Sequence, residues 1–209
     1  MRRSVVLAII CLVFFGFVYA FVGVGVSQLL FKDQADGSIT ANGSTLIGQN
    51  WSDTKCPGHP LGSCVFQGRP DDLGPYASAK LSPAEHPGDD PLEANGQPGE
   101  SGATNLGPRS AELLKYTQEL VAYWHARGVN PTPDLVTTSG SGYDPDITAP
   151  DAIAQIPMVS AATGISPAAL TSLINSYNNS EELGFLGSSY IDVLQLNEGL
   201  YKLEHASGG

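Results

Sequence analysis

Two serines and two aspartates fall within one short stretch, Ser139-Gly-Ser-Gly-Tyr-Asp-Pro-Asp146, and each of these residue types has a chemistry to offer. A serine flanked by glycines on a tight strand-to-helix turn is the arrangement of a hydrolytic nucleophile. With Ser141 as nucleophile, however, the flanking positions are Ser139 and Tyr143, neither of them glycine. The histidines that could act as base, His59, His86, His125 and His205, are scattered along the chain. Asp144 and Asp146, with Ser139 and Ser141 just ahead, could instead offer oxygen ligands to a hard cation, but the later bidentate glutamate of a calcium loop is missing. The favoured reading is structural: these side chains satisfy backbone donors at a turn and at the start of the next helix.

Cys56 and Cys64 are the second candidate pair. In an oxidising compartment they could close a small disulfide loop. The alternative is zinc, since His59 lies between them and His86 is not far in sequence, although neither a CxxC nor an HExxH spacing supports it. Gly43-Ser-Thr-Leu-Ile-Gly48 is too short for a phosphate-binding loop and lacks the following Lys and Ser or Thr.

The elements that must position these residues begin with an anchor. Arg2 and Arg3 precede an apolar or glycine run of twenty-two residues, Val5 to Val26. As a helix the run reaches about 33 Å, enough for a bilayer core of about 30 Å. Both arginines lie before the run, so the positive-inside rule keeps the N-terminus cytoplasmic and everything after Phe31 outside. A cleaved signal peptide, cut after Ala20, is the alternative, and a lipoprotein cut at Cys11 is disfavoured by Ile10. Gly16, Ala20, Gly23 and Ser27 follow helical spacing and form a stripe of small residues against which another membrane helix could pack.

The 209-residue chain carries a net charge of −11. Beyond Phe31, twenty-one acidic residues face eight basic ones, a charge of −13 that disfavours nucleic acid as a partner and enriches cations near the surface. Residues 33 to 50 read as a hairpin region, and 80 to 103, rich in Pro, Gly and acidic residues, as a mobile loop. Pro108 or Ser110 opens a helix burying Leu113, Leu114, Thr117, Leu120, Val121 and Trp124, ending by Gly128. Asp134 to Thr138 reads as a strand, and Pro150 to Ala162 as a helix that Pro157 bends or splits. Ser166 and Pro167 start a third helix burying Leu170, Leu173, Ile174 and Tyr177. Tyr190 to Leu194 is a last strand, with Asn197 as cap of a C-terminal helix. The expected fold is a single transmembrane helix (1–31) followed by one exported, mixed α/β domain with few strands (32–209).

Seven blocks, taken together and in order, carry a resemblance to a known family. They are Gln28-Leu-Leu-Phe31 with Gln34-Ala-Asp-Gly-Ser38, Gly43-Ser-Thr-Leu-Ile-Gly-Gln49, Phe66-Gln-Gly-Arg-Pro70, Ser101-Gly-Ala-Thr-Asn-Leu-Gly-Pro108, Asp134 to Pro145, Gln155-Ile-Pro157, and Gly184-Phe-Leu-Gly187 ahead of Val193-Leu-Gln-Leu-Asn197. In these the chain resembles the C chain of the Kdp potassium-transporting ATPase. The resemblance favours the anchor over the signal peptide. It implies a non-catalytic subunit of a potassium importer, working with a channel-like potassium-binding chain, a P-type ATPase chain and a small single-span chain. Potassium, ATP and magnesium would be used by that complex and no cofactor held by this chain. Gln155 falls where the family has a glutamine linked to nucleotide binding, a role that an exterior location argues against. Asn105, Leu106 and Gly107, with Ser139, Ser141, Asp144 and Asp146, are the expected contact surface for partner or ion. The stretch between Trp51 and Phe66 and the loop at 80 to 103 are longer than the family leads one to expect, and Asp146 stands where a histidine is expected. A free-standing anchored protein binding a ligand or cation outside the cell is the alternative.

Overall fold

The computed structural model of the protein describes residues 2–49, 51–52, 54–70, 103–180 and 185–207. The expected mobile loop at 80 to 103 therefore lies outside the described residues except for Ala103. The chain divides into two compact units, Met1–Leu46 and Ile47–Gly209.

The first unit is built on one 29-residue helical run, Arg2–Leu30, long and apolar enough to cross a membrane. It consists of α1 (Arg2–Val13), a π-helical turn (Phe14–Val18) and α2 (Tyr19–Leu30). Its apolar side chains are exposed, Leu7, Phe15 and Phe21 among them. In water that surface would be costly, and in hydrocarbon it is not. After α2 a single helical turn, α3 (Lys32–Ala35), brings Lys32 onto Asp36, and Gln28 Nε2 donates to the same carboxylate at 2.8 Å. The expected hairpin is reduced to one antiparallel bridge between Ile39 and Ser44.

Among its described residues the second unit packs four helices and a two-stranded sheet around one core. Ser110 caps α4 (Ala111–Ala126), its side chain accepting from Glu112 N. The buried face is Tyr116, Leu120, Tyr123 and Trp124, whereas Leu114, expected inside, is 61% exposed. The aromatic residues, larger than Leu113 and Leu114, take the inner face because they bury more apolar area.

Asp134 to Thr138 is not a strand. It begins with one 3₁₀ turn, Asp134–Val136, behind Pro133, whose φ of −55° and ψ of −37° already point the chain into a helical turn. The Leu135 carbonyl is taken by the Trp124 indole N–H at 2.9 Å, a bond that anchors the turn to α4.

β1 (Asp146–Ile147) pairs antiparallel with β2 (Ile191–Asp192), matching Asp146 with Asp192 and Ile147 with Ile191. Between them come α5 (Ala149–Thr163) and α6 (Pro167–Tyr177). Thr148 and Asp151 form a reciprocal capping box at the start of α5, and the helix runs unbroken through Pro157 to Gly164, whose φ of 75° ends it. Pro157 is exposed, so the carbonyl it leaves without an intrahelical donor sits on the solvent side. Ser166 caps α6 with Pro167 at its start.

The final helix, α7 (Val193–Ser207), starts earlier than expected and absorbs the end of the expected strand. Its cap is Asp192, whose Oδ1 accepts from Gln195 N at 2.8 Å. Asn197 is consequently inside the helix and fully buried rather than at its end. The core joins Phe66, Tyr116, Leu120 and Trp124 to Leu170, Ile174, Ile191, Leu196 and Leu200. The fold is thus a mostly helical mixed α/β unit with a minimal sheet.

Candidate functional site

Residues 139–145 form a loop leading into β1, and its polar groups are mostly turned onto its own backbone. Ser139, only 4% exposed, accepts from Gly142 N at 2.9 Å, and Ser141 Oγ accepts from Tyr143 N at 3.2 Å. Asp144 Oδ1 accepts from Asp146 N at 3.1 Å. Arg69 fastens the loop from outside: Nη2 donates to the carbonyls of Thr137 and Thr138, and Nη1 lies 3.4 Å from Asp144 Oδ2. Gly48 N donates to Tyr143 O at 2.8 Å, and a Cβ on Gly48 would stand 2.6 Å from the Asp144 carbonyl oxygen, so only glycine fits. The described histidines, His59, His125 and His205, are all exposed.

Behind the loop lies a cleft of about 380 Å³ lined by Arg69, Asp134, Asp144, Asp146, Asp151 and Tyr190, among others. Asp146 faces Asp192 directly across the β1–β2 pair, with Asp144 two residues away. Like charges directly opposite in a sheet repel. Burial, first, and then the Asp144 and Asp192 carboxylates push the Asp146 carboxyl up to about 6. Burial also raises Asp192, but the N–H groups of Gln195 and Leu194 pull it back. Asp146 has no such compensation. The folded protein therefore holds the Asp146 proton more tightly than the unfolded chain, and stability falls as pH rises from about 3.8 through about 6. Asp146→Asn is expected to stabilise the protein at pH 8 by about 1 kcal/mol, after discounting for the half-exposed setting, and by nothing below pH of about 4. Thermal melts at the two pH values check this; an equal gain at both would assign the effect to packing.

The other expected contact residues lie elsewhere. Asn105, at a φ of 53°, donates to Ala103 O at 2.8 Å, and Gly107 O accepts from Ser110 N; these bonds are local to the approach to α4. Gly16, Ala20, Gly23 and Ser27 lie on the apolar helix, where a Cβ on Gly16 or Gly23 would meet nothing within 4 Å. Gly16 sits within the π-helical turn, and Ser27 Oγ donates back to Val24 O.

Cys56 and Cys64 are joined as a disulfide with a sequence separation of 8. His59, between them, is exposed, and no metal-holding cluster of His, Cys, Asp and Glu occurs among the described residues.

Gln155 is fully buried, and its amide is spent on the chain itself. Its Oε1 accepts from Gln67 N at 2.7 Å, and its Nε2 donates to Gln67 O at 3.0 Å. Asn197 does the same one residue earlier, accepting from Phe66 N at 2.8 Å and donating to Phe66 O at 2.9 Å. Two helices thus clamp successive residues of one extended segment with side-chain amides in place of a neighbouring strand. Gln67 carries the network onward, donating to the carbonyls of Gly62 and Trp51. The clamp was not legible as a pair, although an asparagine among Leu194, Leu196 and Leu200 on a buried helix was a visible signal.

A family model described as KdpC, the K+-transporting ATPase c chain, matches residues 1–202. The chain is 34% identical over 203 residues to a "Potassium-transporting ATPase KdpC subunit" of Bacillus cereus (strain B4264), covering 92% of this chain and 90% of that one. It is 32% identical, with the same coverage, to proteins of that name from Bacillus anthracis and from Bacillus thuringiensis subsp. konkukian (strain 97-27). The family match takes in the apolar N-terminal helix and the second unit up to residue 202, and the chain belongs to the KdpC family of the potassium-transporting ATPase.

Proposed function

We propose that this chain is a non-catalytic accessory subunit of an ATP-driven potassium importer, anchored by its N-terminal helix with the clamped α/β unit outside the membrane. The observation that carries the non-catalytic reading is the use made of the chemistry-bearing side chains. Ser139, Ser141, Asp144 and Gln155 all hold backbone, and an amide with both ends engaged in a closed core is poorly placed to meet a nucleotide. The disulfide supports the exterior placement, since such bonds persist in oxidising compartments. So does the position of Arg2 and Arg3 ahead of the span.

In this reading the anchor and the outer unit hold together a channel-like potassium-binding chain, a P-type ATPase chain and a small single-span chain. ATP, magnesium and potassium are handled by those partners. Co-isolation tests it: solubilised in mild detergent from its host at limiting potassium, the chain should leave the membrane with a multi-span chain and an ATP-hydrolysing chain. A chain that purifies alone, or with potassium-independent hydrolytic activity of its own, contradicts the reading.

A further inference from the structure

Among the described residues of the α/β unit, the most exposed large apolar side chain is Phe185, at 72%, and Leu186 beside it is 47% exposed. Two adjacent large apolar residues this exposed carry a hydration cost. They are also next to the acidic cleft. Ser188, Ser189 and Tyr190 line that cleft, and the three-residue step from Phe185 to Ser188 spans at most about 11 Å. Tyr190, in the cleft lining, adds an aromatic ring that is itself 38% exposed.

We propose that Phe185, Leu186 and Tyr190, with the adjoining acidic cleft, form the surface through which this chain docks on a partner subunit presenting a lysine or arginine beside an apolar hollow. The inference rests on the subunit reading and specifies the face used. Charge decides the occupant. Among the described residues, the cleft sets the carboxylates of Asp134, Asp144, Asp146 and Asp151 against the guanidinium of Arg69. Asp151 is engaged in the α5 cap and Asp144 with Arg69, whereas the carboxylate of Asp146 has no hydrogen-bond donor among the described residues and faces Asp192. A basic side chain entering here would relieve that repulsion, and charge-paired contacts beside an apolar anchor are where interfaces concentrate affinity. A second copy of this chain would bring cleft against cleft, acid on acid. An anionic lipid surface would be repelled for the same reason.

The test uses the whole complex. A photoreactive benzophenone side chain is placed at position 185 and, as a control, at position 114, where Leu114 is 61% exposed on α4. After irradiation and purification through the ATPase subunit, position 185 should give an adduct with a partner subunit, mapped to a peptide containing Lys or Arg. Position 114 should give at least about tenfold less. Phe185→Asp and Asp146→Lys should each lower retention of this chain about tenfold, which corresponds to 1.4 kcal/mol. The cross-linking arm guards against misfolding of those variants, because the adduct is formed by a chain with its charges intact. An adduct only with lipid or with a second copy of this chain overturns the inference. So do equal adducts at 185 and 114, or full retention of both variants in a complex that otherwise forms. If the wild-type chain does not co-purify at all, the subunit reading itself fails and this inference with it.

Discussion

Asn197→Ala is expected to destabilise the chain by about 4 kcal/mol, measured as a lowered unfolding midpoint of the full-length protein in mild detergent. The size follows from what is left behind. Asn197 is fully buried and is the hydrogen-bond partner of both the N–H and the C=O of Phe66. A buried backbone group that loses its partner costs about 1 to 3 kcal/mol, and here two lose it together with some packing. Gln155→Ala should behave alike through Gln67. Because the two amides hold adjacent residues, the double variant should lose less than the sum, a coupling expected of side chains that share a backbone segment. Gln195→Ala, exposed on the same helix, should stay within about 0.5 kcal/mol. A loss under about 1 kcal/mol for Asn197→Ala would mean that the extended segment finds other partners and is not held by the clamp.

Removing the disulfide is expected to have the next largest effect. Cys56 and Cys64, with a sequence separation of 8, close a short loop, and the chain-entropy account gives about 2.5 kcal/mol for a ring of that size. The loop carries Gly62, whose carbonyl accepts from Gln67 Nε2, so loosening it also loosens the clamp. The double variant Cys56→Ser, Cys64→Ser should unfold at lower denaturant, and wild-type protein treated with reductant should match it. The same pair reports on compartment. Chains trapped with maleimide after denaturation, directly from cells, should show one reactive thiol, that of Cys11. Three reactive thiols would place the α/β unit in a reducing compartment and contradict the exterior assignment.

What the sequence made legible were features set by neighbours in the chain. Ser166 with Pro167, Ser110 ahead of an amphipathic run, and the long apolar span all act over one helical turn or through composition. The misreadings came where distant contacts decide. Asp134–Val136 turns instead of extending because Pro133 and the Trp124 indole constrain it. Asn197 resembles a cap only if Asp192 lies inside a strand running from Tyr190 to Leu194; the strand ends at Asp192, which is itself the cap. On α4, Leu120 and Trp124 are buried as the spacing predicts, but Leu114 is exposed and Tyr116 and Tyr123, which the leucine pattern passes over, complete the inner face. The facing of Asp146 with Asp192 depends on a register between residues 46 positions apart, and no local pattern announces it. Ser139, Ser141 and Asp144 hold turn backbone, as type and spacing predict, because that role is local; Asp146, expected to do the same, lies in β1 and its carboxylate meets no backbone donor among the described residues.

The measurement that bears most directly on the subunit reading is native mass spectrometry of the tagged, full-length chain, extracted in mild detergent from its host grown at limiting potassium. The predicted spectrum contains an assembly in which one intact copy, residues 1 to 31 included, is bound to a large multi-span chain and a P-type ATPase chain. A lone, stable species of about 21.9 kDa, or one shortened by cleavage after Ala20, would contradict it.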